Sequence, residues 1–352
     1  MFACGVAAVS HAQQAPSVQR QISRWEPVRF ADLPGFFDDD LADAWGALVS
    51  NCAKPPPAWL PLCPQVRRMA WASDDERRLW LMTELQPYSV VNLAGAANGQ
   101  LTAYFEPILD GSRLPDAQHG TPLYAPPAGL GRRKPWFSRA EIDASEDVQR
   151  LLRPLLYLAD PIDAQVLAVQ GSGRVAVREA DGSTRDVRVV FAGSNDLPFR
   201  SLGRWLMDER LSRDGSWDGV RNWLAANPER RQELLNINPR VVFFKEKPLS
   251  DNTADVSSGP LGAQGVALTA GRSVAVDRRS IPLGTALWLS TSSAGLKTDR
   301  LVLAQDVGSA ITGAVRADYF VGSGQPAHDV AAKVKQGLKL WVLWPRGAAI
   351  AP

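Results

Sequence analysis

Residues 265–292 read GVALTAGRSVAVDRRSIPLGTALWLSTS. Apolar runs flank the turn signal Ile281-Pro282-Leu283-Gly284-Thr285, so the stretch predicts two short strands joined by a tight connection. The same texture continues downstream. RLVLAQDVGSA (300–310) is an apolar strand that ends in an acid, and AVRADYF (314–320) carries another. A helix is predicted at about 326–336, with Ala327, Val330, Ala331 and Val334 inward and Gly337 as its C-cap. LKLWVLWP (338–345) closes the chain as a strand. Short strands linked by glycine turns point to a barrel rather than a doubly wound sheet.

Upstream the pattern is mixed. Residues 38–52 predict a helix, with Asp38, Asp39 and Asp40 as cap and first-turn acids before Leu41, Ala44, Trp45 and Leu48. A second helix is predicted over 74–85, ahead of Pro87. In QLTAYFEPIL (100–109) the period is two. Leu101, Ala103 and Phe105 form one face of a strand, and Thr102, Tyr104 and Glu106 the other. That polar face reads either as a wetted outer surface or as the floor of a groove. Residues 108–137, rich in Gly and Pro, predict loops. AQVLAVQGSGRVAV (164–177) and STRDVRVVFAG (183–193) predict strands about the Asp181-Gly182 turn, and helices follow over 201–211 and 216–228. The fold class is mainly β with peripheral helices.

Composition excludes several functions. Among 352 residues, 39 Lys and Arg balance 37 Asp and Glu, which gives no reason to expect nucleic acid as a partner. No Gly-x-Gly-x-x-Gly follows a strand and there is no P-loop, so nucleotide binding is not expected. The three histidines, His11, His119 and His328, lie far apart in sequence, so neither a metal site nor a cofactor is expected. The start, MFACGVAAVSHAQQAP, has two export readings: cleavage after Ala12, or a lipidated Cys4. They exclude each other, and a plain N-terminal tail is the third reading. Cys52 and Cys63 read as a disulfide in an exported protein, or as two buried thiols.

Three aspartates fall at strand ends or adjoining loops: Asp277, Asp306 and Asp318. Singly, each reads as a turn or cap residue. Clustered, they would repel, and repulsion with burial raises a carboxyl pKa towards what a general acid needs. An acid without histidine, cysteine or metal points to glycoside chemistry. Of the 12 tryptophans, Trp136 and Trp288 are the candidates for stacking on a sugar.

On these residues the chain resembles the membrane-bound lytic murein transglycosylase A family. LTAYFEPIL, FAGSNDLPFRSLGRWL, NPRVVFF, residues 258–285 and AQDVGSAITGAVRADYFVGSG match its blocks in order, from about 90 to 345. The last region also resembles the 3D domain, named for three aspartates, here Asp277, Asp306 and Asp318. The resemblance implies a double-psi β-barrel over 240–352, joined by segments from 21–107. It also implies an inserted β-rich domain over 108–239, with a glycan strand lying between the two. It implies non-hydrolytic cleavage of peptidoglycan to 1,6-anhydromuramyl ends, with Asp318 as the single acid/base. Asp306 and Asp277 would support it. Thr102, Tyr104, Glu106, Asn195, Gln305, Gly313 and Arg316 would line the groove. Arg316, two residues from Asp318 on one strand face, would oppose a raised pKa if it points at that carboxyl. The competing readings are a silent glycan-binding protein, and a β-1,4-glycan hydrolase with Asp306 as base. The implied location is exported and periplasmic, with an outer-membrane lipid anchor as one option.

Overall fold

The computed structural model describes residues 15–249, 259–293 and 296–350. The export readings at Cys4 and Ala12 lie outside them. The chain divides into two compact units. One comprises residues up to 103, 261–320 and from 333 on; the other comprises 104–260 and 321–332.

Among the described residues fifteen strands run in chain order. The first four are β1 (Val18–Gln19), β2 (Ser23–Pro27), β3 (Leu85–Asn92) and β4 (Gly99–Glu106). Then come β5 (Ile108–Ser112), β6 (Thr121–Ala125), β7 (Arg153–Leu158), β8 (Ser172–Arg178), β9 (Thr184–Ser194) and β10 (Val242–Pro248). The last five are β11 (Ser273–Val276), β12 (Ala286–Ser292), β13 (Lys297–Asp306), β14 (Arg316–Ser323) and β15 (Lys335–Pro345).

One sheet has the order β1-β2-β3-β15-β12-β13-β11-β14-β4, and β15 also pairs with β4. That extra pairing closes β15, β12, β13, β11, β14 and β4 into a ring, the barrel expected from the sequence. Closure removes the exposed edges that short strands would otherwise present. β11 runs parallel to β13 and antiparallel to β14, so it is the strand from which both acid-bearing neighbours are set.

Helices pack on this barrel through apolar faces. In helix Leu41–Asn51 the Asp40 carboxylate accepts the Ala42 N–H at 2.9 Å, and Leu41, Ala44, Trp45, Ala47 and Leu48 are buried. Asp39 is not a cap. Its two oxygens accept from both Nη atoms of buried Arg272 at 2.7 and 2.9 Å, and it also accepts the Leu301 N–H at 2.9 Å. This fork-to-fork pair ties the helix start to the residue just ahead of β11. Helix Asp74–Glu84 begins with a capping box between Ser73 and Glu76. Cys52 and Cys63 are disulfide-bonded, and both sulfur-bearing residues are buried in the core formed with Trp59, Trp288 and Leu343.

The second sheet has the order β10-β9-β8-β5-β7-β6. The expected boundary at 239/240 falls ahead of β10, which hydrogen-bonds along β9 and so belongs to this sheet. Residues 108–137, predicted as loops, contain β5 and β6. Residues 164–170, the first half of the strand predicted over 164–177, belong instead to helix Pro161–Gln170. Asp160 caps it, Pro161 starts it, and Gly171 ends it at φ +83°. These local signals outweighed the scattered β-branched residues Ile162, Val166 and Val169. The last helix spans Gly324–Ala331, and β15 already begins at Lys335.

Candidate active site

β11 carries Ala275, and two acids flank it. In register Ala275 pairs with Asp318 on β14 and with Asp306 on β13. The second pairing exists because β13 has an irregularity: Val274 pairs with Ala304, but Ala275 skips Gln305 to reach Asp306. Such an extra residue re-aims the side chains that follow it. The two acids are therefore two strand spacings apart, about 10 Å between backbones, with only a methyl group on the strand between.

Thr102 on β4 reaches the same point. Gly99 makes this approach feasible, since a Cβ there would lie 1.8 Å from the Val315 carbonyl oxygen. The Thr102 hydroxyl donates to Asp318 Oδ1 and accepts from Arg316 Nη2 at 2.7 Å. A hydroxyl has one proton, so this direction is fixed by the guanidinium, which can only donate. Arg316 also donates to the Gln100 and Ala317 carbonyl oxygens. It thus touches Asp318 through Thr102. Among the described residues no direct ion pair joins Arg316 and Asp318.

Burial raises the Asp318 carboxyl above the ordinary range, and the charge of Asp306 adds to that rise. The Thr102 hydrogen bond and the Arg316 charge oppose it without reversing it. Asp277 behaves oppositely. Arg279 donates to both its oxygens, at 3.0 and 2.7 Å, and the Gly313 N–H donates at 2.9 Å. The Arg279 hydrogen bond leads these contacts in pulling Asp277 down to about 2. Gly313 sits at φ +130°, a conformation open to glycine, and this lets its N–H face Asp277. Asp306 accepts the Ala263 N–H at 2.9 Å. The constellation is one carboxyl that holds its proton more tightly than usual, one that stays ionised, and one that fixes a loop. The first can give a proton to a bound oxygen and take one back.

Residues 100–245 match the family profile described as the MltA specific insert domain, and residues 272–344 match the 3D domain. The lytic transglycosylase LtgG of Burkholderia pseudomallei is 38% identical, with a TM-score of 0.66. That match covers 97% of this chain and 99% of that one. This chain belongs to the MltA family.

The membrane-bound lytic murein transglycosylase A of Escherichia coli strain K12 is 33% identical over 257 residues, covering 70% of this chain. The chain spans 66% of the length of that MltA relative. Escherichia coli MltA with bound chitohexaose is 25% identical, with a TM-score of 0.72, covering 96% of this chain and 97% of that one.

Within this MltA-family chain, Asp318, Thr102, Arg316 and Asp306 come together, and Gly313 meets Asp277. Other residues expected at a groove are placed differently. Gln305 is wholly buried, accepting from Ser273 Oγ at 2.6 Å, because the irregularity in β13 separates its orientation from that of Asp306. Asn195 is buried: its amide donates to the Phe137 and Pro239 carbonyl oxygens and accepts the Val241 N–H, which makes it a clamp between loops. Glu106 is buried in the second unit, where it pairs with Arg174 and Arg188 and accepts from Ser323. Tyr104 also lies in the second unit and is partly exposed. The two tryptophans are core residues. Trp288 is fully buried and donates to the Pro34 carbonyl, while Trp136 stacks edge-on against Phe137 and Phe243. Sequence reasoning missed Ala275, Ala263 and Arg279. Only Arg279 had a visible signal, as a cation two residues after Asp277.

Proposed function

We propose that the protein is a lytic murein transglycosylase that cleaves the bond from N-acetylmuramic acid to N-acetylglucosamine and leaves 1,6-anhydromuramyl ends. The observation that carries this reading is Asp318, a carboxyl held above its ordinary range and steadied by a hydroxyl. The names of its relatives, and the chitohexaose bound to one of them, support the same substrate class.

In the proposed reaction Asp318 gives its proton to the glycosidic oxygen as the bond to muramyl C1 breaks. The muramyl C6 hydroxyl oxygen bonds to C1, and its proton passes to the Asp318 carboxylate. The acid is restored and no water is consumed. Thr102 holds the carboxyl in place, and Arg316 holds Thr102. Asp277, ionised by Arg279, orders the turn at Gly313. Asp306 adds negative charge that favours the protonated form of Asp318.

Hydrolysis is the second reading. Two acids two strand spacings apart, about 10 Å between backbones, are comparable in spacing to the carboxyl pair of inverting glycosidases, about 6.5–9.5 Å. Against it, the Asp306 carboxylate is already engaged by the Ala263 N–H. Digestion of purified peptidoglycan followed by mass spectrometry separates the readings. Anhydro ends are expected. Reducing ends in their place would establish hydrolysis, and intact glycan would establish a binding protein.

The location proposed is the periplasm. The disulfide suits an oxidising compartment. Among the described residues no helix is long and apolar enough to cross a membrane. The mass of the mature N-terminus distinguishes a lipidated Cys4 from cleavage after Ala12.

A further inference from the structure

The second unit contains a cavity remote in sequence from the aspartates of the barrel. It offers about 60 Å³ to the centre of a water-sized sphere. One water needs roughly 10–15 Å³ on that measure, so the space suits about five heavy atoms. Its floor is apolar, built from Leu123, Ala164, Val242 and Phe244. Three polar side chains line it: Arg139, Asp143 and Tyr124.

These groups have unused bonding capacity. Arg139 Nε donates to the Asn238 carbonyl at 3.3 Å and Nη2 to the Arg240 carbonyl at 3.1 Å, which fixes the guanidinium plane. Its Nη1 has no acceptor among the described residues. Asp143 lies one turn further along helix Arg139–Ala144, and its Oδ2 accepts from Gln232. Its Oδ1 accepts nothing among the described residues. No ion pair joins Arg139 to Asp143 among them, although residues four apart share a helix face. Burial penalises both charges, pressing the guanidinium down and the carboxyl up. The Tyr124 hydroxyl has no hydrogen-bond partner among the described residues either.

A half-buried cation and a more exposed anion that stop short of pairing leave a gap for a ligand with both signs. A simple anion would meet Arg139 but be repelled by Asp143, and a simple amine would meet the converse. We propose that this cavity binds an α-amino-acid head group, its carboxylate on Arg139 Nη1 and its ammonium on Asp143 Oδ1. Such a head group has five heavy atoms: nitrogen, Cα, the carboxyl carbon and two oxygens. Tyr124 supplies the remaining hydrogen bond to a carboxylate oxygen. This inference does not rest on the cleavage reading, because a free amino acid contains no glycosidic bond.

The test uses the full chain with four probes: glycine, meso-diaminopimelic acid, its N,N′-diacetyl derivative, and acetate. Titration calorimetry measures affinity, and amide shifts in nitrogen-15 spectra locate the site. Glycine and meso-diaminopimelic acid are expected to bind at one site and to shift residues 122–124 and 139–143. Acetate and the diacetyl derivative are expected to bind at least about tenfold more weakly, the loss of one charge-assisted hydrogen bond. Asp143→Asn keeps the contact with Gln232 and the helix, and is expected to lower the affinity for glycine about tenfold while peptidoglycan cleavage is unchanged. Tyr124→Phe is a second, milder variant that should weaken binding without unfolding. Acetate binding as tightly as glycine, shifts located elsewhere, or no response to any probe would each overturn the proposal.

Discussion

Thr102→Val is the sharpest probe of how the acid is tuned. Valine keeps the β-branched shape that suits β4 and removes only the hydroxyl. Two bonds go: the donation to Asp318 and the acceptance from Arg316. The lost donation favoured the ionised carboxylate, so its removal makes Asp318 hold its proton more tightly. A hydrogen bond to a charged group contributes about 1.5–3 kcal/mol, and each 1.36 kcal/mol is tenfold in an acid dissociation constant. Thr102 and Asp318 are both partly exposed, so water replaces some of the loss and the lower end applies. Acidity should therefore fall about tenfold. Arg316 is also held by two carbonyl oxygens, which keeps it from swinging onto Asp318. The assay is the pH dependence of kcat/KM for release of soluble fragments from purified peptidoglycan, which reports the free enzyme's acid. The alkaline limb should move up by about one pH unit. A limb that stays in place, or moves down, would refute the hydroxyl relay.

Three other predictions follow from named contacts. Asp318→Asn should lower cleavage at least about 100-fold, the low end for a general acid. Because the folded state raises this pKa, protonated Asp318 favours folding below its unfolded value, and that contribution is lost as pH rises through the folded one. The Asn variant should therefore melt higher than wild type at pH 7, with the gap closing in acid; scanning calorimetry checks it. Arg272→Met leaves Asp39 buried without its partner and should cost about 3–5 kcal/mol, read by urea unfolding; adding Asp39→Leu should restore part of it. Cys52→Ala with Cys63→Ala opens a loop with a sequence separation of 11, which should cost about 3 kcal/mol. A denaturant midpoint unchanged from wild type would mean that the loop is held by its packing instead.

Much of the barrel was legible because its strands are local objects. The turn at 281–285 and the apolar runs beside it are readable from neighbouring residues alone. Helix Leu41–Asn51 was readable too, but Asp39 was not: its role as the partner of Arg272 depends on a residue far away in sequence. The reverse error occurred at residues 164–170. There the cap signals, Asp160, Pro161 and Gly171, were present in the sequence but were outweighed in the reading by a valine-rich pattern.

The sequence by itself marked three aspartates in or beside the last strands and the family the chain resembles, because those are patterns along the chain. The tertiary structure decided which chemistry each aspartate is given. Asp277 is pulled down by a cation two residues on and by the Gly313 amide. Asp318 is pushed up by burial, against the charge of Arg316 and a hydrogen bond from Thr102, a residue with a sequence separation of 216 from the acid. The physical reason is that a carboxyl's pKa depends on what lies within a few ångströms in space. Strand register, one irregularity in β13 and a glycine at 99 settle that neighbourhood, and spacing along the chain does not encode it.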